Sequence, residues 1–114
     1  MLTIDTLKAF GANTDEGVAR CFGKEAFYLR LVGTVPAEAN FDRLADAIGE
    51  GNLDAAFESA HALKGVLSNL SLTPILEPVS EITEALRSKK EMDYSAPLQI
   101  ILSKRDELKK ICES

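Results

Sequence analysis

The stretch NLDAAFESAHALKGVLSNLSL, from Asn52 to Leu72, decides the fold. Its apolar positions Leu53, Ala56, Ala60, Leu63, Leu67 and Leu70 step by three and four without a fault, which places them on one face of an α-helix. Asn52 stands where an N-cap belongs, just after Gly51, which suits the end of a preceding helix. The stretch therefore reads as a long amphipathic helix whose apolar face must be buried against other helices. It also carries His61, the only histidine in the chain.

Toward the N-terminus, Pro36 suits the first turn of a helix reaching about Glu50, with Phe41, Leu44, Ala45 and Ile48 as its inward stripe. Before it, Lys24 to Val32 carries Phe27, Tyr28, Leu31 and Val32 at helical spacing, and Gly33 with Pro36 marks a break. Asn13 and Glu16 have the spacing of a capping box for a turn that reaches about Phe22 and ends at Gly23. Thr3 to Phe10 reads as a short helix capped by Thr3 and stopped by Gly11. Toward the C-terminus, Thr73 as cap and Pro74 as first residue open a helix to about Lys89, slightly bent by Pro78. Leu76, Val79, Ile82, Thr83 and Leu86 face inward on it. After the polar loop Ser88 to Asp93, Ser95 or Asp93 caps a last helix to about Cys112, lined by Leu98, Ile101, Leu102, Leu108 and Ile111. Four long amphipathic helices joined by short loops predict an all-α fold, an antiparallel up-and-down four-helix bundle over about 36–113. The helical segment at about 3–33 is expected to cover one end or flank of it.

The whole chain agrees with that reading. At 114 residues it is one domain by size, and 46% apolar residues can fill one core. A formal net charge of -5 offers no general attraction to phosphate backbones or anionic lipid, so neither nucleic acid nor a membrane surface is an expected partner. Cys21 and Cys112 lie far apart, with no second Cys or His at metal-ligand spacing, and are expected as packed or free thiols. No basic segment leads into a long apolar run, and no window approaches a membrane-spanning length, so the expected location is cytoplasmic.

His61 lies about 130° around the helix from the centre of the apolar stripe and is expected to face solvent. An unprotonated, exposed imidazole is a nucleophile. Lys64, Gly65 and Ser68 share its face at i+3, i+4 and i+7. Gly inside a helix costs about 1 kcal/mol relative to Ala, and no core crowding demands it on an outward face, so something outside the chain is expected to come close at Gly65. Lys64 supplies a cation that could offset the charge of about -1.5 to -2 on a phosphoryl group. Phe57 and Leu72 are expected to form an apolar rim for a docked partner. Against this stands the plainer reading, in which a lone surface histidine is a solvated side chain and helical lysines serve solubility.

Other chemistries fit poorly. There is no second histidine to act as a base, no G-x-S-x-G sequence and no Gly-rich phosphate loop. Glu77, Glu81 and Glu84 follow the spacing of an exposed helical face. A di-metal site of the ferritin type needs Glu-x-x-His twice, and one histidine cannot supply it.

The sequence Ala60-His61-Ala62-Leu63-Lys64-Gly65 resembles the signature of the histidine-containing phosphotransfer (HPt) domains of bacterial two-component phosphorelays. The lead-in Phe22-Gly23-Lys24-Glu25-Ala26-Phe27-Tyr28-Leu29, then Leu44-Ala45-Asp46-Ala47 and Gly51-Asn52, is similar to that family's, as is the continuation Ser68-Asn69-Leu70. Ser71 departs from it, standing where many members carry a second Gly. The resemblance implies a phosphorelay intermediate, without autonomous kinase activity, that accepts a phosphoryl group on His61 from a receiver aspartate or a sensor histidine kinase and passes it on. It further implies that Lys64 stabilises the phosphoryl charge, that Gly65 and Ser68 give clearance for receiver docking, and that the Mg²⁺ belongs to the receiver, with no cofactor on this chain. The chain is expected to act as a monomer. Two rival readings share the helical pattern: an adaptor that docks a partner without being phosphorylated, and a module serving a chemotaxis-type kinase.

Overall fold

The computed structural model describes residues 1–114. Seven α-helices and one 3-10 turn make up the chain, in the order α1 (Ile4–Phe10), α2 (Thr14–Arg20), α3 (Glu25–Thr34), the 3-10 turn Val35–Ala37, α4 (Ala39–Gly49), α5 (Leu53–Asn69), α6 (Thr73–Arg87) and α7 (Ser95–Glu113). The architecture is an all-helical bundle. α5 packs against both α4 and α6, α6 packs against α7, and α7 also touches α4 and the 3-10 turn.

Local chemistry accounts for most element ends. The Thr3 hydroxyl accepts from the Thr6 amide while Thr6 returns a bond to the Thr3 backbone, and Gly11 closes α1 in the left-handed region at φ 108°. Asn13 and Asn52 cap α2 and α5 by accepting from the amides of Glu16 and Ala55. On α5 the stripe Ala56, Ala60, Leu63 and Leu67 is fully buried, with Leu53 half-buried. Tyr28 and Phe41 are the largest fully buried side chains, and one continuous cluster of 23 buried apolar residues runs from Leu7 to Leu108. The N-terminal segment thus shares the bundle's core. Cys21 is buried and Cys112 half-buried, both as free thiols.

Five boundaries differ from the sequence reading, each for a physical reason. Gly33 does not end α3, because a helical glycine without positive φ merely weakens a helix, and α3 continues to Thr34. Pro36 opens only the 3-10 turn; the chain then goes extended at Glu38, whose carboxylate caps α4 by accepting from the Asn40 amide. α2 stops at Arg20, and the chain leaves it through Phe22 and Gly23, both left-handed. Thr73 is the first residue of α6 rather than its cap, because the Leu72 carbonyl already accepts the first helical bond, from the Leu76 amide at 2.9 Å. α7 begins at Ser95 with Tyr94, and neither Ser95 nor Asp93, in the N-cap position; Asp93, one residue earlier, accepts from the Ser95 amide at 2.9 Å.

The N-terminal segment is fastened at the turn between α5 and α6. The buried Tyr28 hydroxyl donates to the Leu70 carbonyl at 2.9 Å, the Asn13 amide donates to the Ser71 carbonyl at 3.0 Å, and the Ser71 hydroxyl donates to Glu16 at 3.0 Å. Ser71 has φ 53°, a left-handed conformation that costs a non-glycine residue about 1–2 kcal/mol. A glycine at this position would meet that geometry without strain. Here the serine hydroxyl instead ties the turn to α2.

Candidate functional site

α5 presents its buried stripe to the core and leaves the opposite side to solvent, and His61 lies on that open side. One turn before it, the half-buried Phe57 stacks on the imidazole, with ring centroids 5.7 Å apart and planes inclined by 18°. This spacing follows from i, i+4 neighbours on one helix face. Face-to-face packing of this kind restrains the orientation of the imidazole, which remains exposed.

Around that pair, side chains of α6 reach across the helix seam. The Arg87 guanidinium lies over the Phe57 ring, 5.1 Å from its centroid. Arg87 Nε is also 3.3 Å from Glu84 Oε2, and the second oxygen of Glu84 lies 3.9 Å from Lys64 Nζ. Further along the same seam Lys89 pairs with Asp54 at 3.3 Å. Such exposed pairs contribute about 0–1 kcal/mol each, so they orient side chains more than they hold helices together. Lys64, with its side chain 36% exposed, therefore has a resting partner on α6.

Gly65 is exposed, and a Cβ built on it would meet nothing within 4 Å. Nothing in the chain itself requires glycine there. Ser68, one turn further, is half-buried and small. Together these positions leave a low, open strip of helix C-terminal to His61. None of the surface pockets includes His61; a groove of about 490 Å³ that includes its stacking partner is lined by Asp54, Phe57, Glu58, Leu86, Arg87 and Lys89. The imidazole thus lies exposed on α5, outside every pocket.

Leu72 corrects the sequence reading. The expectation of an apolar rim there extends the helical period past Asn69, but α5 ends at that residue and the left-handed Ser71 turns the chain inward. Leu72 is fully buried and offers no docking surface. Phe57, by contrast, keeps part of its ring at the surface. Sequence reasoning left out Arg87 and gave Glu84 only an exposed place on α6. No local signal could place them, because their role depends on how α6 lies against α5. No three His, Cys, Asp or Glu side chains come together in a metal-holding group. No helix is long and apolar enough to cross a membrane.

A family model described as Hpt domain matches residues 36–113, which takes in α4 to α7 and the whole of the surface around His61. No curated protein and no solved structure gives a significant match.

Proposed function

The chain belongs to the Hpt domain family, and from that premise we propose that it is a phosphorelay intermediate of two-component signalling in which His61 carries the phosphoryl group. Nε2 of a neutral imidazole attacks the phosphorus of a receiver's aspartyl phosphate. The N–P bond forms, the acyl P–O bond breaks, and the carboxylate leaves with the bonding pair while the ring keeps its Nδ1 proton. Transfer onward is the same step reversed on another receiver's aspartate. Members of the family are phosphotransfer modules, so the receiver or a sensor histidine kinase supplies the catalysis, and the receiver supplies Mg²⁺. Lys64 offsets phosphoryl charge, and Gly65 and Ser68 keep the surface low under the docked receiver, with Phe57 at its edge.

The observation that carries this reading is the conjunction at one turn of α5: an exposed imidazole stacked on Phe57, followed by a helical glycine with open space above it. An adaptor that only docks a partner has no use for that imidazole. We read the chain as a single monomeric domain, an antiparallel up-and-down bundle at 36–113 with the helical segment 3–33 packed on it, and a cytoplasmic location goes with this role. The direct experiment is incubation with a receiver domain carrying labelled aspartyl phosphate. The proposal expects acid-labile, alkali-stable label on the wild type and none on His61→Gln; equal labelling of both, or of neither, contradicts it.

A further inference from the structure

Two cations lie near His61, Lys64 one turn along α5 and Arg87 over the Phe57 ring that stacks on the imidazole, and one carboxylate pairs with both. Glu84 keeps Arg87 Nε at 3.3 Å with one oxygen and Lys64 Nζ at 3.9 Å with the other, while Arg87 also covers the ring on which His61 stacks. We propose that Glu84 is a resting counterion that draws the Lys64 side chain of α5 toward α6 and holds Arg87 in place until a phosphoryl group reaches His61, and that it thereby sets how the group partitions between this chain and its receiver. The inference rests on the reading of His61 given above.

Charge and magnitude support the exchange. Two cations and one carboxylate leave a single net positive charge to meet a phosphoryl group of about -2. Without the carboxylate the same two cations would neutralise the group. A phosphohistidine held beside Glu84 is therefore left slightly under-compensated, which favours passing the group on over keeping it. The pairs involved are exposed and worth about 0–1 kcal/mol each. Lys64 at 3.9 Å is at the limit of contact, so a doubly charged competitor one helical turn away can take it over. Glu81, also exposed on α6, pairs with neither cation and carries the same charge. It provides the control for a general surface-charge effect.

The test uses the full chain as wild type, Glu84→Gln and Glu81→Gln. Each is brought to equilibrium with a receiver domain carrying labelled aspartyl phosphate, and the ratio of phosphohistidine to phosphoaspartate is read. Glu84→Gln should shift the ratio toward phosphohistidine by about twofold to fivefold, with Glu81→Gln unchanged. The shift should shrink in a Lys64→Ala background, an outcome that a merely structural role for Glu84 would not produce. A labelled wild type with no shift in Glu84→Gln, or with an equal shift in Glu81→Gln, overturns this inference alone. A wild type that takes no label overturns the reading of His61 and this inference with it.

Discussion

A Cβ added to Gly65 meets nothing within 4 Å, whereas one added to Gly17 falls 2.4 Å from the Tyr28 ring. The same residue type thus faces open space at one position and a packed ring at the other. Gly65→Ala should raise stability by about 0.5–1 kcal/mol, because it removes the conformational freedom of a helical glycine without a clash. Gly65→Leu should leave the helix content intact and slow phosphoryl transfer by roughly tenfold or more, since displacing a docked reactant by about 1 Å is costly in rate. Thermal unfolding and transfer kinetics check the two halves, and an unchanged rate for Gly65→Leu would remove the case for clearance. The exposure of His61 and the oddity of Gly65 were both legible in the sequence because they depend only on the period of one helix. Lys64's engagement with Glu84 was not, because it depends on the placement of α6 against α5. Leu72 was misread at the same limit, where a helical period was continued past the residue at which the helix stops.

At the scale of elements, caps and stripes made α1, α5 and α6 legible to within a few residues, since Thr3, Asn52 and Pro74 act locally. The break at Glu38 was not legible, because Pro36 suits the first turn of either kind of helix and only packing of the 3-10 turn on α7 separates them. The seating of α2 and α3 depends on the Tyr28 ring fitting over Gly17 and on its hydroxyl reaching Leu70. Gly17→Ala forces that ring or helix to shift and should destabilise the protein by about 1–3 kcal/mol, the usual range for overpacking. Denaturant unfolding measures it, and a stability equal to wild type would mean that the ring moves freely. Because α2 and α3 lie outside the surface around His61, the fully folded variant should retain transfer.

The single apolar cluster from Leu7 to Leu108 makes the N-terminal segment and the bundle one cooperative unit, so a perturbation at Tyr28 is read in the unfolding of the whole molecule. Burial pushes the Tyr28 phenol up to about 12 from its ordinary 10.0, with the nearby Cys21 thiol adding to the rise. The folded state therefore favours the protonated phenol, and the unfolded chain gives up that proton first. Its contribution is fully present below about pH 10, falls between about pH 10 and 12, and amounts to no more than about 3 kcal/mol. Tyr28→Phe should lose about 1 kcal/mol at neutral pH with the hydrogen bond, yet show a shallower fall in stability across that alkaline window. Parallel curves for the two proteins would contradict the assignment. The all-helical class was legible at this scale from composition and periodicity, while the fastening of the N-terminal segment through Ser71 was not, since it joins residues 55 apart in sequence. The relay role itself is tested most directly by a pulse and chase: the chain is loaded from a labelled phosphorylated receiver, isolated, and mixed with fresh unphosphorylated receiver. The account predicts that label leaves His61 and appears on the receiver's aspartate, and that His61→Gln never carries it; label that stays on the wild-type chain, or that loads equally well on His61→Gln, contradicts it.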